Sequence, residues 1–332
     1  MKAAVVGAGA WGTALATLLC KNGIETALWF RSEEKAMDAK VSRGNPRLPG
    51  IVLPEGIIPT SDPACVKDCS LVVMASPSFP LRQVARTVAP FLSPDAALVS
   101  VTKGIEPGTL LRMSQIVAQE TGRNVAALSG PCHAEEVAAG IPTGCLAASP
   151  DKALAEFVQS AFMSDTFRVY TSPDIVGAEL GGALKNVIAL CAGVAAGLGF
   201  GDNTAAMLMT RGLTEIGRLG VSLGAKKETL AGLSGVGDLI VTCTSMHSRN
   251  RRAGILIGQG MAPKDAMEQV GAVVEGYYAA LSAWKLSRKQ GIEMPITEAA
   301  YRVLYEGANA KDVVSRLLMR SPKPESEDAG WL

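Results

Sequence analysis

Short apolar runs alternate with segments of helical periodicity through the first 170 residues of the chain. Mostly apolar runs of strand length occupy residues 2–6, 25–30, 71–75, 97–101 and 125–128. Amphipathic segments separate the later runs, near residues 81–89 and 110–120, and two further strands are expected near residues 144–148 and 167–170. Residues 44–62, rich in proline and glycine, predict an irregular excursion. The alternation of strands with helices predicts an α/β fold with a doubly wound, mainly parallel sheet.

The pattern changes at residue 173, beyond which the sequence shows helical periodicity and no convincing strand. The predicted helices cover residues 173–196, 204–219, 249–257, 274–288, 296–305 and 311–318. Asp202 and Asn203 precede the second of these helices and are expected to cap it. Three glycines between residues 232 and 237 predict a flexible approach to Asp238.

A glycine-rich turn, Gly-Ala-Gly-Ala-Trp-Gly at residues 7–12, joins the first strand to the first helix. In a dinucleotide-binding turn of this kind, Gly7 allows the tight bend and Gly9 lets the backbone approach a pyrophosphate, while Gly12 lets helix and strand pack closely. The helix N-terminus offers free N–H groups and a positive dipole end to the phosphates. We therefore expect this turn, with Ala10 and Trp11, to bind the cofactor of a Rossmann domain.

Composition and charge narrow the class of protein. The chain has 332 residues, 48% of them apolar, and a formal net charge of +1, which suits a soluble globular protein of two domains. We expect a Rossmann domain at residues 1–175, an all-α domain at residues 176–320 and a loose tail at residues 321–332. The small net charge gives no general attraction for nucleic acid or anionic lipid.

The expected compartment is the cytoplasm. The N-terminus enters a strand at once, which predicts no signal peptide. No apolar run approaches the roughly 18 residues that span a bilayer, so membrane insertion is not expected. Seven cysteines, none in a CxxC pair, with only two histidines favour buried free thiols and no metal site.

The end of the second strand bears on the choice of cofactor. An acidic residue at this point commonly binds the ribose 2′-hydroxyl of NAD, but this chain has Arg31 and Ser32 there. A guanidinium and a hydroxyl suit a 2′-phosphate, which favours NADP(H) weakly over NAD(H). The adjacent Glu33 and Glu34 leave NAD open, because either could meet a ribose.

One lysine lies on the most apolar predicted helix. Lys185 follows Gly181 and Gly182, and helical side chains lean toward the preceding turn. The two glycines are therefore expected to form a bare patch beside the ammonium, where a ligand could lie. The alternative is a helix crossing made of small residues, with a lysine that reaches toward solvent.

Other candidate residues fall at the predicted carboxyl ends of strands, where ligands bind in sheets of this kind. They are Ser76, Pro77, Lys103, Gly130 and Cys132. Lys103 as an ordinary surface lysine is the alternative.

Further along the chain, Ser248, Arg249 and Asn250 lie next to Thr244 and Ser245 and combine a forked donor, an amide and hydroxyls. This cluster suits an anion, although a solvated helix face is the alternative. Nucleic-acid binding by the same arginines lacks an aromatic platform and a supporting net charge.

These groups suffice for reduction of a ketone by a nicotinamide cofactor. A lysine can donate the proton if burial or a neighbouring cation lowers its pKa. Lys185, with Lys103 as the second cation, fits this role. Asp238 could orient the ammonium, and Asn186 and Thr242 could hold substrate hydroxyls.

The chain resembles the bacterial NAD(P)-dependent glycerol-3-phosphate dehydrogenases along nearly its whole length. The resemblance is carried by residues 7–12, 102–104, 129–131, 179–188, 235–239, 248–251 and 274–276. It implies an architecture like that of the 6-phosphogluconate dehydrogenases, with the active site between a Rossmann domain and a helical domain. It also implies interconversion of dihydroxyacetone phosphate and sn-glycerol 3-phosphate for phospholipid synthesis, in a homodimer.

The resemblance also assigns roles to residues. It implies that Lys185 transfers the proton. The implied substrate contacts are Lys103, Gly130, Cys132, Asp238, Ser248, Arg249 and Asn250. The implied cofactor contacts are Trp11, Arg31, Lys103, Ala134, Arg249, Val273 and Glu275. Two positions depart from the family pattern, since Ala10 replaces a common serine and Cys132 a common serine or threonine.

Two other functions remain open from the sequence. A related β-hydroxyacid dehydrogenase would act on another phosphorylated or carboxylated substrate, because Arg249 and Asn250 cannot tell phosphate from carboxylate. A non-catalytic dinucleotide sensor would need residues 7–12 but has no use for Lys185. Turnover of dihydroxyacetone phosphate distinguishes all three.

Overall fold

The first half of the chain forms one eight-stranded sheet. The computed structural model describes residues 1–325. The strands are β1 (Lys2–Val6), β2 (Glu25–Trp29), β3 (Ile57–Thr60), β4 (Leu71–Met74), β5 (Ala97–Ser100), β6 (Val125–Ser129), β7 (Thr143–Ala148) and β8 (Phe167–Ser172). They lie in the order β3-β2-β1-β4-β5-β6-β7-β8, and every neighbouring pair is parallel except β6 and β7. The predicted doubly wound, mainly parallel sheet is confirmed.

Six α-helices accompany this sheet, besides two short 3₁₀ helices at Pro63–Val66 and Ala89–Phe91, and apolar clusters lie on both of its faces. They are α1 (Ala10–Lys21), α2 (Glu33–Ser42), α3 (Leu81–Val88), α4 (Met113–Thr121), α5 (Ala134–Ala139) and α6 (Lys152–Phe162). Strands β1 and β4 are almost wholly buried and apolar, as strands covered on both faces must be.

The expectation of an irregular excursion at residues 44–62 is wrong in part, because β3 lies within it. Pro59 pairs with Leu28 of β2 at the edge of the sheet. A proline is tolerated on an edge strand, where its missing N–H costs no ladder bond. The short length of β3 and its proline hid the strand in the sequence.

Described residues from 173 to 325 form helices and turns without a strand, as predicted. The helices are α7 (Ile175–Gly197), α8 (Asp202–Ser222), α9 (Lys227–Leu230), α10 (Asp238–Thr244), α11 (Arg249–Gly258), α12 (Pro263–Val270), α13 (Glu275–Gln290), α14 (Pro295–Tyr305) and α15 (Ala310–Leu318). Residues 321–325 have no helix or strand, and the rest of the tail predicted at residues 321–332 lies outside the described residues.

Two local predictions in this half are wrong. Asp202 does not cap α8 but is its first helical residue, and Gly201 is the N-cap without a side-chain bond. Residues 233–237 are not a flexible loop but a π-helical turn that leads directly into α10. A Cβ on Gly235 would lie 1.8 Å from the Leu230 carbonyl oxygen, so this glycine serves close packing.

Helix α7 is the centre of the helical half, and α11 crosses it at very short range. Gly193 and Gly197 of α7 face Gly254 and Gly258 of α11, and a Cβ on any of the four would lie 2.1–2.3 Å from a backbone oxygen of the opposite helix. Only glycine permits this approach. The crossing fixes α11, and with it Asn250, against the helix that carries Lys185.

Helix α7 is by length and composition apolar enough to cross a membrane, contrary to the prediction that no apolar run approaches that length. In the structure, 83% of the relevant window is buried inside the protein. The helix packs against α8, α10, α11 and α13, and its apolar character therefore serves the core of the helical half.

Polar contacts join the two halves. Glu179 near the start of α7 accepts hydrogen bonds from the backbone N–H (2.7 Å) and hydroxyl (2.6 Å) of Ser114 in α4, and it also pairs with Arg112. The hydroxyl of Ser282 in α13 donates to the Ile105 carbonyl at 3.0 Å. Because Glu179 is buried, these bonds fix α7 against the carboxyl edge of the sheet.

Candidate active site

The glycine turn before α1 has the geometry of a phosphate-binding loop. Gly7 has φ +125°, which favours glycine, and a Cβ there would lie 2.7 Å from the Ala75 carbonyl group. A Cβ on Gly12 would lie 1.9 Å from the Gly7 oxygen. Gly9 has no atom within 4 Å of its Cβ position, so its backbone stays open to a ligand. Each glycine therefore occupies the environment predicted for it.

This turn fits a dinucleotide. Ala10, Trp11 and Gly12 are the first residues of α1, whose leading N–H groups have no partner within the helix. The Trp11 indole N–H is buried without a hydrogen-bond partner within residues 1–325. No cluster of three or more metal-ligating side chains occurs in the same range.

At the end of β2 the two predicted cofactor residues have different environments. Arg31 is exposed. Ser32 is the N-cap of α2, and its hydroxyl accepts a hydrogen bond from the Lys35 N–H at 3.4 Å. Glu33 and Glu34 lie exposed in the first turn of α2, where the helix dipole favours acids. Arg31 is therefore the side chain here that is free to read a 2′-phosphate.

Residues predicted to contact the cofactor also come from the start of α13. Glu275 accepts hydrogen bonds from the backbone N–H (3.1 Å) and hydroxyl (2.5 Å) of Ser78, which follows β4. Burial raises the pKa of Glu275, and the Ser78 bonds and the Arg249 charge oppose that shift. No local pattern in the sequence pairs Ser78 with Glu275, because the two residues are 197 positions apart.

Other predicted cofactor residues lie at loop and helix starts. Val273 lies in the loop before α13 and is partly exposed. Ala134 is buried as the first residue of α5. Their positions allow backbone contacts rather than side-chain chemistry, because both side chains are apolar.

One buried carboxylate joins the two predicted lysines. Asp238 accepts a hydrogen bond from Lys185 Nζ at 2.5 Å on one oxygen and from Lys103 Nζ at 2.6 Å on the other. Lys185 also donates to the Thr242 hydroxyl at 2.5 Å, and Lys103 donates to the Gly130 carbonyl at 3.0 Å. The sequence predicted these residues for one site, and the structure brings them together.

The elements explain this convergence. Lys103 and Gly130 follow β5 and β6, whose carboxyl ends lie at one edge of the sheet. Asp238 and Thr242 are four residues apart in α10 and therefore share one helix face. Lys185 reaches both of them from α7.

The two lysines differ in pKa because their environments differ. Burial lowers the pKa of Lys185 to about 8, and the nearby Lys103 charge adds to that shift while Asp238 opposes it. Burial also acts to lower the pKa of Lys103, but the Asp238 carboxylate outweighs it and leaves that pKa above its ordinary value. Lys103 therefore stays cationic at neutral pH, while Lys185 can exchange a proton near it.

The expected bare patch beside Lys185 does not exist. A Cβ on Gly181 would lie 2.5 Å from the Ser234 carbonyl oxygen, and one on Gly182 would lie 2.7 Å from the Ser129 hydroxyl. The glycines admit the π-helical turn and the end of β6, which cover them. They position Lys185 by close packing and do not form a ligand surface.

The side chains of Asn186 and Asn250, both predicted to contact the substrate, form a hydrogen bond to each other. The Asn250 amide donates to the Asn186 side-chain oxygen at 2.9 Å, and its own oxygen accepts from the Gly276 N–H at 2.8 Å. Both side chains are buried. The pair ties α7 and α11 to the start of α13.

The remaining cluster residues lie at the N-terminus of α11. The Ser248 hydroxyl caps this helix by accepting from the Arg251 N–H at 3.2 Å. Arg249 is exposed, and its guanidinium forms no hydrogen bond or ion pair within residues 1–325. Arg249 is therefore the side chain of this cluster that is available to an anion.

Cys132 has a neighbour that the sequence did not reveal. Its thiol donates to the Gly130 carbonyl at 3.0 Å, and the Cys145 thiol of β7 donates to the Cys132 sulfur at 3.7 Å. The antiparallel pairing of β6 with β7 brings Cys145 beside the loop after β6. No local pattern in the sequence predicts this contact.

Comparison with known families agrees with this geometry. The profile described as the N-terminus of NAD-dependent glycerol-3-phosphate dehydrogenase matches residues 2–155. The profile for the C-terminus of the same enzymes matches residues 174–315. Together the two profiles cover most of the chain, including both the glycine turn and the lysine cluster.

Individual proteins are similar over nearly their whole length. Two relatives are named glycerol-3-phosphate dehydrogenase (NAD(P)+). One, from Moorella thermoacetica, is 52% identical over 99% of this chain and 98% of its own length. The other, from Clostridium perfringens, is 48% identical over 98% of this chain and 99% of its own. The crystal structure of glycerol-3-phosphate dehydrogenase from Coxiella burnetii superposes with a TM-score of 0.92 at 37% identity, covering 96% of this chain and 99% of that one.

Proposed function

The chain belongs to the NAD-dependent glycerol-3-phosphate dehydrogenase family, and from that premise we propose that it interconverts dihydroxyacetone phosphate and sn-glycerol 3-phosphate. It is an oxidoreductase that uses a nicotinamide dinucleotide. The observation that carries the proposal for its active site is the Asp238 carboxylate shared by Lys185 and Lys103.

Lys185 is the proposed proton donor. Its ammonium is buried, and Asp238 and Thr242 take two of its three N–H donors. The third can point to a substrate oxygen. A pKa of about 8 lets Lys185 give a proton to the developing alkoxide in ketone reduction and recover one in the reverse direction. When bound, the nicotinamide supplies or accepts the hydride.

The other charged groups orient Lys185 and stabilise the oxyanion that forms on the substrate. Asp238 holds both ammonium groups, so Lys185 keeps one orientation. Two cations and one anion leave a local charge of +1, which suits an oxyanion in a buried site. Lys103 also fixes the Gly130 carbonyl and thereby the loop after β6.

The phosphate of the substrate is proposed to bind at the start of α11. Arg249 offers a forked hydrogen-bond donor at the start of α11. The free N–H groups and the positive dipole end of this helix add further attraction for a phosphate. Ser248 and Asn250 hold the start of α11 in place. Ser248 caps the helix, and Asn250 links it to α7 and α13.

The cofactor is proposed to lie along the glycine turn, with its pyrophosphate at the backbone of Gly9 and the start of α1. Trp11, Ala134, Val273 and Glu275 would complete the site. A weak preference for NADP(H) is supported by exposed Arg31 at the end of β2.

The assembly and location are also proposals. We propose a cytoplasmic homodimer, with a Rossmann domain at residues 1–175 and a helical domain at residues 176–320, that supplies glycerol 3-phosphate for phospholipid synthesis. The break between β8 and α7 at residues 172–175 supports the division.

Turnover tests the proposed function. The purified protein should oxidise NADH or NADPH when dihydroxyacetone phosphate is added and should leave them unchanged with unphosphorylated dihydroxyacetone at the same concentration. Turnover of a carboxylated ketone in preference to dihydroxyacetone phosphate would indicate a related β-hydroxyacid dehydrogenase. Cofactor binding without turnover of either would contradict a dehydrogenase.

A further inference from the structure

Two thiols lie in contact beside the Lys103 ammonium. The sulfur atoms of Cys132 and Cys145 are 3.7 Å apart, and Cys132 also donates to the Gly130 carbonyl that Lys103 holds. All seven cysteines of the chain are free. Among them, this pair alone has sulfur atoms in hydrogen-bond contact within residues 1–325.

We propose that Cys132 and Cys145 form a modification site, at which a peroxide converts the two thiols into a reversible disulfide that inactivates the enzyme. The disulfide itself follows from the geometry of the thiols. Its effect on turnover rests on the proposed function.

Access and reactivity differ between the two sulfur atoms. Cys132 is partly exposed, whereas Cys145 is fully buried in β7. The Cys145 thiol donates to Cys132 and the Lys103 cation lies nearby, and together they place the pKa of Cys132 below its ordinary value despite burial. A thiolate beside a cation is the reactive form of cysteine, so Cys132 is the sulfur that reacts first with a peroxide.

The oxidation proceeds in two balanced steps. The Cys132 thiolate attacks one oxygen of the peroxide, the O–O bond breaks, and Cys132 becomes a sulfenic acid while hydroxide leaves. The Cys145 sulfur then attacks Cys132 Sγ, the S–S bond forms and the S–O bond breaks, and the oxygen leaves as water. In total, two thiols are oxidised and one hydrogen peroxide is reduced to two water molecules.

Formation of the disulfide would displace the loop that carries the Gly130 carbonyl in the active site. The sulfur atoms must close from 3.7 Å to about 2.05 Å. Cys145 cannot move far, because β7 is paired with β6 on one side and β8 on the other. The loop of Gly130, Pro131 and Cys132 must therefore shift, and the Gly130 carbonyl that accepts from Lys103 shifts with it.

The chain offers a convenient way to detect the bond. Both cysteines lie in one tryptic peptide, residues 124–152, because no lysine or arginine occurs between Arg123 and Lys152. Cleavage after Glu135 or Glu136 separates them. After peroxide treatment and alkylation of the remaining thiols, the two fragments should stay linked until dithiothreitol is added.

Activity should follow the bond. We expect kcat/KM of the intact enzyme to fall about 100-fold as the fragments become linked, since a misplacement of ~1 Å in an active site can cost that much. Dithiothreitol should restore it by thiol–disulfide exchange. Fragments that separate without reduction after complete peroxide inactivation would overturn the proposal.

Two variants complete the test. Cys145→Ala, with Cys145→Ser as a second form in case one fails to fold, keeps Cys132 but removes the resolving thiol. In either variant the Cys132 sulfenic acid has no resolving thiol, so excess peroxide oxidises it further to the sulfinic acid, which dithiothreitol does not reduce. The loss of activity should therefore be irreversible, and a dithiothreitol-reversible loss equal to that of the wild type would overturn the proposal. Cys69→Ala is the matched control and should behave as the wild type, because burial raises the pKa of Cys69 to about 11 and of its neighbour Cys65 to about 12.

Failure of the two proposals can be told apart. If the reduced enzyme does not turn over dihydroxyacetone phosphate, the proposed function fails, and the linked fragments still report the disulfide. If the reduced enzyme is active but peroxide leaves both the fragments and the activity unchanged, the dithiol site fails alone.

Discussion

Two groups of glycines in this protein serve opposite purposes. In the turn before α1, Gly9 leaves its backbone bare, and no atom lies within 4 Å of the place where a Cβ would be. In α7, by contrast, a Cβ on Gly181 would lie 2.5 Å from a backbone carbonyl oxygen, and one on Gly182 would lie 2.7 Å from a serine hydroxyl. Gly9 keeps space for a ligand, whereas Gly181 and Gly182 remove space so that Lys185 meets Asp238.

The difference between these glycines reflects how the two parts of the site, the cofactor half and the catalytic half, are built. The cofactor half relies on backbone N–H groups and a helix end, which many sequences can supply if the glycines are right. The catalytic half relies on four side chains from three parts of the chain, namely Lys103, Lys185, Asp238 and Thr242. Substitutions should therefore affect chemistry in the second half and binding in the first.

The largest effect is expected at Lys185. Lys185→Met should lower kcat by about 10²–10⁴-fold or more, because it removes both the proton donor and a cation beside the alkoxide. The dissociation constant of the reduced cofactor, measured by fluorescence, should change little. Retention of more than about a tenth of the wild-type rate would show that Lys185 is not the acid. Lys152→Met, at an exposed lysine, is the control.

Arg249 is part of the proposed substrate site, and its substitution should act on binding of the substrate phosphate. Arg249→Ala should weaken use of the phosphorylated ketone by about 1.5–3 kcal/mol in kcat/KM, the cost of a lost charge-assisted contact. Unphosphorylated dihydroxyacetone, assayed at high concentration, should be little affected. Equal losses on both ketones would exclude a role in reading the phosphate.

The contrast between the glycines can be tested directly. Gly181→Ala should lower the free energy of unfolding by about 1–3 kcal/mol, because the new methyl group meets the fixed Ser234 carbonyl. Gly217→Ala is the matched control, since it lies in α8 with nothing within 4 Å, and it should stabilise by up to ~1 kcal/mol.

Gly9→Ala should show the reverse behaviour. Its φ of −75° suits any residue and its surroundings are open, so the free energy of unfolding should change by less than about 0.5 kcal/mol. Cofactor affinity should fall, because the methyl group occupies the approach of the pyrophosphate. Urea unfolding and cofactor titration of both variants would settle the contrast, and it fails if Gly181→Ala is as stable as the wild type.

The smallest effect on turnover is expected at Arg31. An exposed ion pair contributes only about 1 kcal/mol, so NADPH should be preferred weakly and NADH should still work. Arg31→Ala should reduce the NADPH preference by about tenfold, equivalent to ~1.4 kcal/mol, with NADH activity nearly intact. The ratio of kcat/KM values at fixed ionic strength measures this. A strong NADH preference in the wild type, or equal weakening of both cofactors, would assign Arg31 to adenine stacking instead.

The same comparison explains what the sequence could predict. The turn at residues 7–12 is a local structure, and the roles of its three glycines follow from a strand and a helix that are adjacent in the chain. The lysine cluster could be foreseen as a set of residues, since Lys103 follows a strand end, Lys185 lies on an apolar helix and Asp238 follows three closely spaced glycines. Its geometry could not, because it depends on contacts between residues 53 and 135 positions apart.

Several of the wrong predictions have the same long-range cause. The expected bare patch at Gly181 is filled by Ser234, 53 positions further along the chain, and the Asn186 side chain is bonded to Asn250. Strand β3 is hard to predict because Pro59 is tolerated only at the edge of a sheet, and the edge position is a property of the whole sheet. The Cys132–Cys145 contact depends on the single antiparallel pairing of the sheet, which no local pattern indicates.

The central claim is that Lys185 donates the proton with a pKa lowered by burial and by Lys103. The most direct test is the pH dependence of kcat/KM for reduction of dihydroxyacetone phosphate between about pH 7 and 9.5. Reduction needs the ammonium form, so kcat/KM should be flat below a pKa of about 8 and should fall as pH rises through it, while oxidation of glycerol 3-phosphate should rise over the same range. In Lys103→Met the inflection should move to higher pH, because the neighbouring cation is gone. A reduction rate that stays constant up to about pH 9.5, or an inflection that Lys103→Met leaves in place, would contradict the account.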